Sequence, residues 1–147
     1  MSMPAIAARC VLLGTLFASA ALCQQHSIVI KAVNGKTGKP IANVHLLIWK
    51  GKSEQDVVEK VERANDAHTG ADGTAILEID PDTGWLQVWV DGFRLCQDDP
   101  NSHAFNIGRV SQTGGNSSSN CGVPVKNTPG TFVVFAREPT LREKMAW

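Results

Sequence analysis

The chain has 147 residues, with 14 basic and 14 acidic side chains. Balanced charge supplies no electrostatic footprint for nucleic acid or anionic lipid, so neither is expected as a partner. The length suits a single domain with one sizeable core, and no apolar run reaches the roughly 20 residues a membrane span needs.

The opening MSMPAIAARCVLLGTLFASAALCQQHS carries one basic residue, Arg9, then an apolar and small-residue run from Cys10 to Cys23, then polar Gln24, Gln25 and His26. That order reads as a secretory signal peptide over residues 1–23, cleaved near Cys23/Gln24, with a second option after Ala20. Lipid attachment at Cys23 is disfavoured by the bulky Leu22 before it. The expected address is secreted or periplasmic. Residues 24–138 are read as one domain and 139–147 as a short C-terminal helical tail.

HSIVIKAV (His26–Val33) is rich in β-branched residues and reads as a strand, and NGKTGKP after it is a dense turn signal. In IANVHLLIWKG, Val44, Leu46 and Ile48 alternate onto one face, leaving His45, Leu47 and Trp49 on the other. The charged stretch KSEQDVVEKVERAND (Lys52–Asp66) holds Val57, Val58 and Val61, a poor helical stripe. Its second half is therefore expected to be a strand entering a hairpin closed by Ala71-Asp72-Gly73, since Asp-Gly supplies the left-handed conformations of tight turns. TAILEI continues the meander to the turn DPDTG. WLQVWVDGF then places Leu86, Val88 and Val90 on one face, with Trp85, Gln87, Trp89 and Asp91 on the other.

From Cys96 to Gly130 the chain is long and polar, includes the low-complexity patch QTGGNSSSN, and is expected to hold one short strand, AFNIGRV (Ala104–Val110). TFVVFARE (Thr131–Glu138) reads as the last strand. In PTLREKMAW, Pro139 suits a first helical turn and Leu141 and Met145 lie four apart on one side. About seven short strands at turn-separated intervals predict an all-β fold, a seven-stranded antiparallel β-sandwich with a short C-terminal helix or tail.

With Cys10 and Cys23 in the leader, Cys96 and Cys121 are the remaining cysteines, and an isolated pair in an oxidising compartment usually bonds. Such a bridge stabilises by about 3 kcal/mol on the chain-entropy estimate. The alternative is two unpaired buried thiols.

With TGKPIANV and TGADGTAILEI in hand, the chain resembles the transthyretin-like (prealbumin-like) sandwich of carboxypeptidase regulatory-like domains and collagen-adhesin B-type repeats. Gly38, Lys39, Pro40, Thr69, Asp72, Gly73, Gly92 and Phe93 stand at the matching positions. The resemblance covers roughly residues 28–93, and its motifs are turn chemistry and core pattern. It implies a secreted bacterial, non-catalytic module with a structural, adhesion or accessory protein-interaction role.

Enzymes on this architecture fit the residues poorly. Ring-cleaving intradiol dioxygenases hold iron with tyrosines and histidines, and this chain has no tyrosine. Hydroxyisourate hydrolases end in a Tyr-Arg-Gly-Ser motif, whereas this chain ends REKMAW. His26, His45, His68 and His103 lack the spacing of zinc ligands. No Gly-x-Ser-x-Gly occurs, and the acidic turns at Asp66, Asp72, Asp80, Asp82, Asp98 and Asp99 form no calcium loop. Lys31 stands seven residues before Gly38 instead of the six usual for an isopeptide-forming lysine, a slip that turns a strand side chain to the opposite face. No catalytic residue, metal or cofactor is expected.

Trp85 and Trp89 share a strand face about 13 Å apart at ~3.3 Å per residue, and Trp49 belongs to a strand expected beside them. Trp49, Trp85 and Trp89 are the candidate ligand- or partner-binding residues. Either the tail, through Leu141, Met145 and Trp147, or the Cys96–Cys121 segment covers this face, or the face stays open to an unknown protein or glycan partner. A carbohydrate-binding module is thus the alternative function.

Overall fold

The structure, a computed structural model, describes residues 26–97, 104–117 and 120–146. Residues 1–23, read above as a signal peptide, and His103, Asp98, Asp99 and Trp147 lie outside the described residues. The strands are β1 (His26–Asn34), β2 (His45–Gly51), β3 (Asn65–His68), β4 (Thr74–Ile79), β5 (Trp85–Val90), β6 (Arg94–Leu95), β7 (Phe105–Asn106), β8 (Gly115–Asn116) and β9 (Thr131–Arg137). Three short helices join them: α1 (Glu54–Val58), α2 (Ile107–Thr113) and α3 (Leu141–Lys144).

The strands form two sheets. One runs β4-β1-β9-β6, with β8 also paired to β9, and the other runs β3-β2-β5-β7. Between them lies the main core. Ile28, Ile30 and Ala32 of β1 and Phe132, Val134 and Ala136 of β9 face Leu46 and Ile48 of β2 and Leu86, Val88 and Val90 of β5. The alternation read from the sequence for β2 and β5 holds at every one of those positions, because a strand with one face in a core cannot slip by one residue without exposing its whole apolar set.

The all-β sandwich stands, with two corrections to its detail. Nine strands are present among the described residues where seven were expected, the additions being the two-residue β6 and β8. The first sheet is mixed, since β9 runs parallel to β1 and β8 parallel to β9. A period of two in the sequence carries no strand direction. The parallel setting fits the unbroken apolar run FVVFA (132–136), as expected of a strand buried on both sides. Phe132 and Val134 enter the main core, while Val133 and Phe135 join Val33 and Cys96 in a second apolar cluster outside the sheet, against Cys121 and Val125.

The stretch Lys52–Asp66 also departs from expectation. Its first half forms α1, and only Asn65–His68 at its end is a strand. No hairpin follows, because β3 pairs with β2 in one sheet and β4 with β1 in the other. The turn at Gly70–Gly73 carries the chain between sheets. Gly73 adopts φ 75°, and a Cβ there would meet Pro40 at 2.8 Å and the Ala32 carbonyl at 3.0 Å, so glycine is required on both counts. Buried Thr69 pins this crossing to the chain before β2. Its Oγ1 accepts from the Val44 N–H at 3.0 Å and donates to the Ile41 carbonyl at 2.9 Å.

AFNIGRV likewise contains only a two-residue strand before α2. Asn106 caps that helix by accepting from the Arg109 N–H at 3.0 Å, and Ile107 and Val110 bury its inner side. The expected tail helix is α3, closed by a capping box between Thr140 and Glu143 and tied back by Arg137, whose guanidinium makes two 2.8 Å bonds to the Glu143 carboxylate.

Candidate functional site

The outer face of the second sheet carries the residues singled out from the sequence, and strand register divides them into three groups. In the first row His45 of β2 stands opposite His68 of β3, and their rings stack with centroids 4.9 Å apart. The His45 ring reaches an acid on each side, Nε2 to Asp66 at 2.9 Å and Nδ1 to Asp91 at 3.3 Å. Only an imidazolium donates from both nitrogens. The hydrogen bond to Asp66, then that to Asp91, raises the His45 pKa above its ordinary value.

The next rows hold two of the tryptophans. Leu47 pairs with Trp89 and Trp49 with Gln87, which sets the Trp49 and Trp89 rings edge to face at 6.2 Å. The Lys60 ammonium lies 4.7 Å from the Trp49 ring and 4.6 Å from the Trp89 ring, a double cation–π contact. Lys60 gets there through the way α1 ends. The Val61 N–H bonds the Asp56 carbonyl and the Lys60 N–H bonds the Val57 carbonyl, the two bonds of a Schellman motif. This puts Lys60 at the left-handed C′ position with φ 53°, where glycine is the usual occupant. At the helix start, Ser53 and Asp56 form a capping box. The fully buried Val57 packs over Gly51, where a Cβ would meet Val57 Cγ2 at 2.9 Å.

So α1 and Lys60 lie on this face, and of the side chains proposed for the tail as a cover, Leu141 is 76% and Met145 74% exposed. The described parts of the Cys96–Cys121 segment are divided: β7 pairs with β5 at the end of the second sheet, while β8 and the two cysteines lie on the first. The two cysteines are joined in a disulfide, and their sulfurs sit so close to Gly35 that a Cβ on that residue would lie 2.5 Å from Cys96 Sγ.

Trp85 stands apart from the other tryptophans. It pairs with Gly51 on one side and with Asn106 of β7 on the other, at the end of the sheet. Beside it opens a cleft of about 400 Å³ lined by Trp85, Phe105, Asn106, Arg109, Asn116 and Asn127, within the range of roughly 300–1,000 Å³ common for small-molecule sites. Its wall depends on the glycines of the low-complexity patch. Gly114 has φ 75°, and a Cβ there would collide with the Thr128 backbone.

Among the described residues no three His, Cys, Asp or Glu side chains converge as a metal site. Sequence reasoning missed the cleft because Phe105, Asn106 and Arg109 were read as the strand AFNIGRV, and Asn116 and Asn127 as loop; the available signal was the Asn106 cap ahead of Ile107 and Val110.

No protein-family model matches the chain, and no curated protein matches it in sequence. Among solved structures the chain is similar to a group B streptococcus pilus 2b backbone protein, at 14% identity and a TM-score of 0.46 over 79% of this chain and 42% of that one. It is also similar to domains D2 and D3 of the major pilin SpaD from Corynebacterium diphtheriae, at 14% identity and a TM-score of 0.40 over 77% of this chain and 47% of that one. Full-length SpaD gives 17% identity and a TM-score of 0.38 over 78% of this chain and 31% of that one. The chain thus spans less than half the length of each. Likenesses at this level say nothing of what it binds.

Proposed function

We propose that the chain is an exported, non-catalytic sandwich module of the transthyretin-like, carboxypeptidase regulatory-like kind, acting as a structural, adhesion or accessory domain that works by binding. The observation that carries this reading is His45. Among the described residues it is the histidine placed beside carboxylates, and it commits both ring nitrogens to Asp66 and Asp91, which leaves none to take a proton from a nucleophile. Support for export comes from the Cys96–Cys121 disulfide, since such bonds persist in oxidising compartments. The test is to assay the purified full chain against chromogenic ester, glycoside and peptide substrates, alongside immobilised extracellular glycans and proteins. Saturable binding without turnover is expected, and turnover that disappears in His45→Ala would overturn the reading.

A carbohydrate partner is the second reading. The cleft favours it, because an indole at one wall and side-chain amides at the others are the groups that take a sugar's apolar ring face and its hydroxyls.

A further inference from the structure

The cleft beside Trp85 is rich in donors and poor in acids. Arg109 lies exposed on α2 and, among the described residues, no carboxylate pairs with it. Two amide oxygens on the rim accept bonds within the protein. Asn106 Oδ1 accepts from the Arg109 N–H at 3.0 Å, and Asn127 Oδ1 accepts from Asn116 Nδ2 at 2.7 Å. The amide nitrogens of Asn106 and Asn127 keep their hydrogens for a ligand. No Asp or Glu lines the cleft among the described residues. A guanidinium and amide N–H groups around an indole match a ring that offers an apolar face and acceptor oxygens, one of them ionised.

We infer that this cleft binds a carboxylated pyranose, the repeating unit of an acidic polysaccharide, with Trp85 against the ring face and Arg109 on the carboxylate. The inference rests on the carbohydrate reading and adds the charge of the sugar. Neutral sugars satisfy the amides and the indole but leave Arg109 without a counter-charge. A carboxylate accepts two parallel bonds from the guanidinium, and such charge-assisted bonds are about twice as strong as neutral ones.

The experiment titrates the full chain with trigalacturonate and with its methyl ester, which keeps the ring and removes the charge, following tryptophan fluorescence and calorimetry. Saturable binding of the acid is expected, at least about tenfold tighter than the ester and weakened by salt, as an exposed ion pair is. Arg109→Gln should bring the acid down to the ester's affinity, while Arg142→Gln on α3 leaves both unchanged. Trp85→Ala should lose both ligands, and Trp85→Phe, which keeps an aromatic face, should retain part. Thermal melts of each variant confirm that it folds. If acid and ester bind the wild type equally, or Arg109→Gln behaves like Arg142→Gln, the inference fails while the carbohydrate reading stands. If neither ligand saturates, both fail.

Discussion

At the scale of the residue, His45 ties two strands of the second sheet together through charge. Asp66 of β3 and Asp91 just past β5 face its two nitrogens, with the His68 ring stacked alongside. The raised pKa means the folded state holds the proton more tightly than the unfolded chain does. The stabilisation is therefore fully present below the unfolded value near 6.5 and is lost as pH rises through the folded value. Melting temperature should fall as pH rises above about 6.5, and His45→Gln should flatten that slope; an identical slope in the variant would remove His45 as its cause. Thr69 makes a sharper claim about stability. Thr69→Val keeps the shape but strands the Val44 N–H, which loses its buried acceptor, and the Ile41 carbonyl, which loses its donor. A loss of about 2–3 kcal/mol is expected in urea unfolding, the cost of burying such groups unpaired.

At the scale of the element, long alternating strands and the tail helix were legible, and the short helices α1 and α2 were not. β2 and β5 announce themselves because each must hide one face, so Leu46, Ile48, Leu86, Val88 and Val90 recur with period two. α1 and α2 each bury one or two side chains, Val57 in one and Ile107 with Val110 in the other. That is too few to print a helical stripe. Their caps were the readable signal: Ser53 three residues before Asp56, and Asn106 before Ile107. The end of α1 offers a test in two variants. Lys60→Ala loses the cation–π contacts and keeps a side chain in the left-handed conformation, whereas Lys60→Gly loses the same contacts and relieves strain of about 1 kcal/mol. The alanine variant should be the less stable by about that amount, and tryptophan emission should become more quenchable in both. Wild-type stability in Lys60→Ala would mean that the ammonium contributes nothing.

At the scale of the whole molecule, each sheet has a second layer outside it. The Cys96–Cys121 disulfide and Val125 cover Val33, Val133 and Phe135 on the outside of the first sheet, and α1 covers part of the second. Replacing Cys96 and Cys121 by serine should cost about 3 kcal/mol from the unfolded chain's regained freedom, read as a lower urea midpoint; an unchanged midpoint would show that packing alone holds the segment. The pairing of these cysteines was legible because reading residues 1–23 as a signal peptide left Cys96 and Cys121 as the remaining pair. The candidate site was legible only in part. Trp49, Trp85 and Trp89 were singled out together, yet Lys60 reaches two of them through a helix ending that no hydrophobic pattern records, and Trp85 is set apart by β7 and α2.

The most direct test of a binding surface without catalysis is an amide and indole NMR titration of the full chain with trigalacturonate, with the sugar's own anomeric signals recorded in parallel. Shifts gathered at the Trp85 indole, Asn106, Arg109 and Asn127, with the sugar intact after prolonged incubation, are the predicted result. Shifts centred on His45 and Asp91 together with new anomeric signals from cleaved sugar would contradict it.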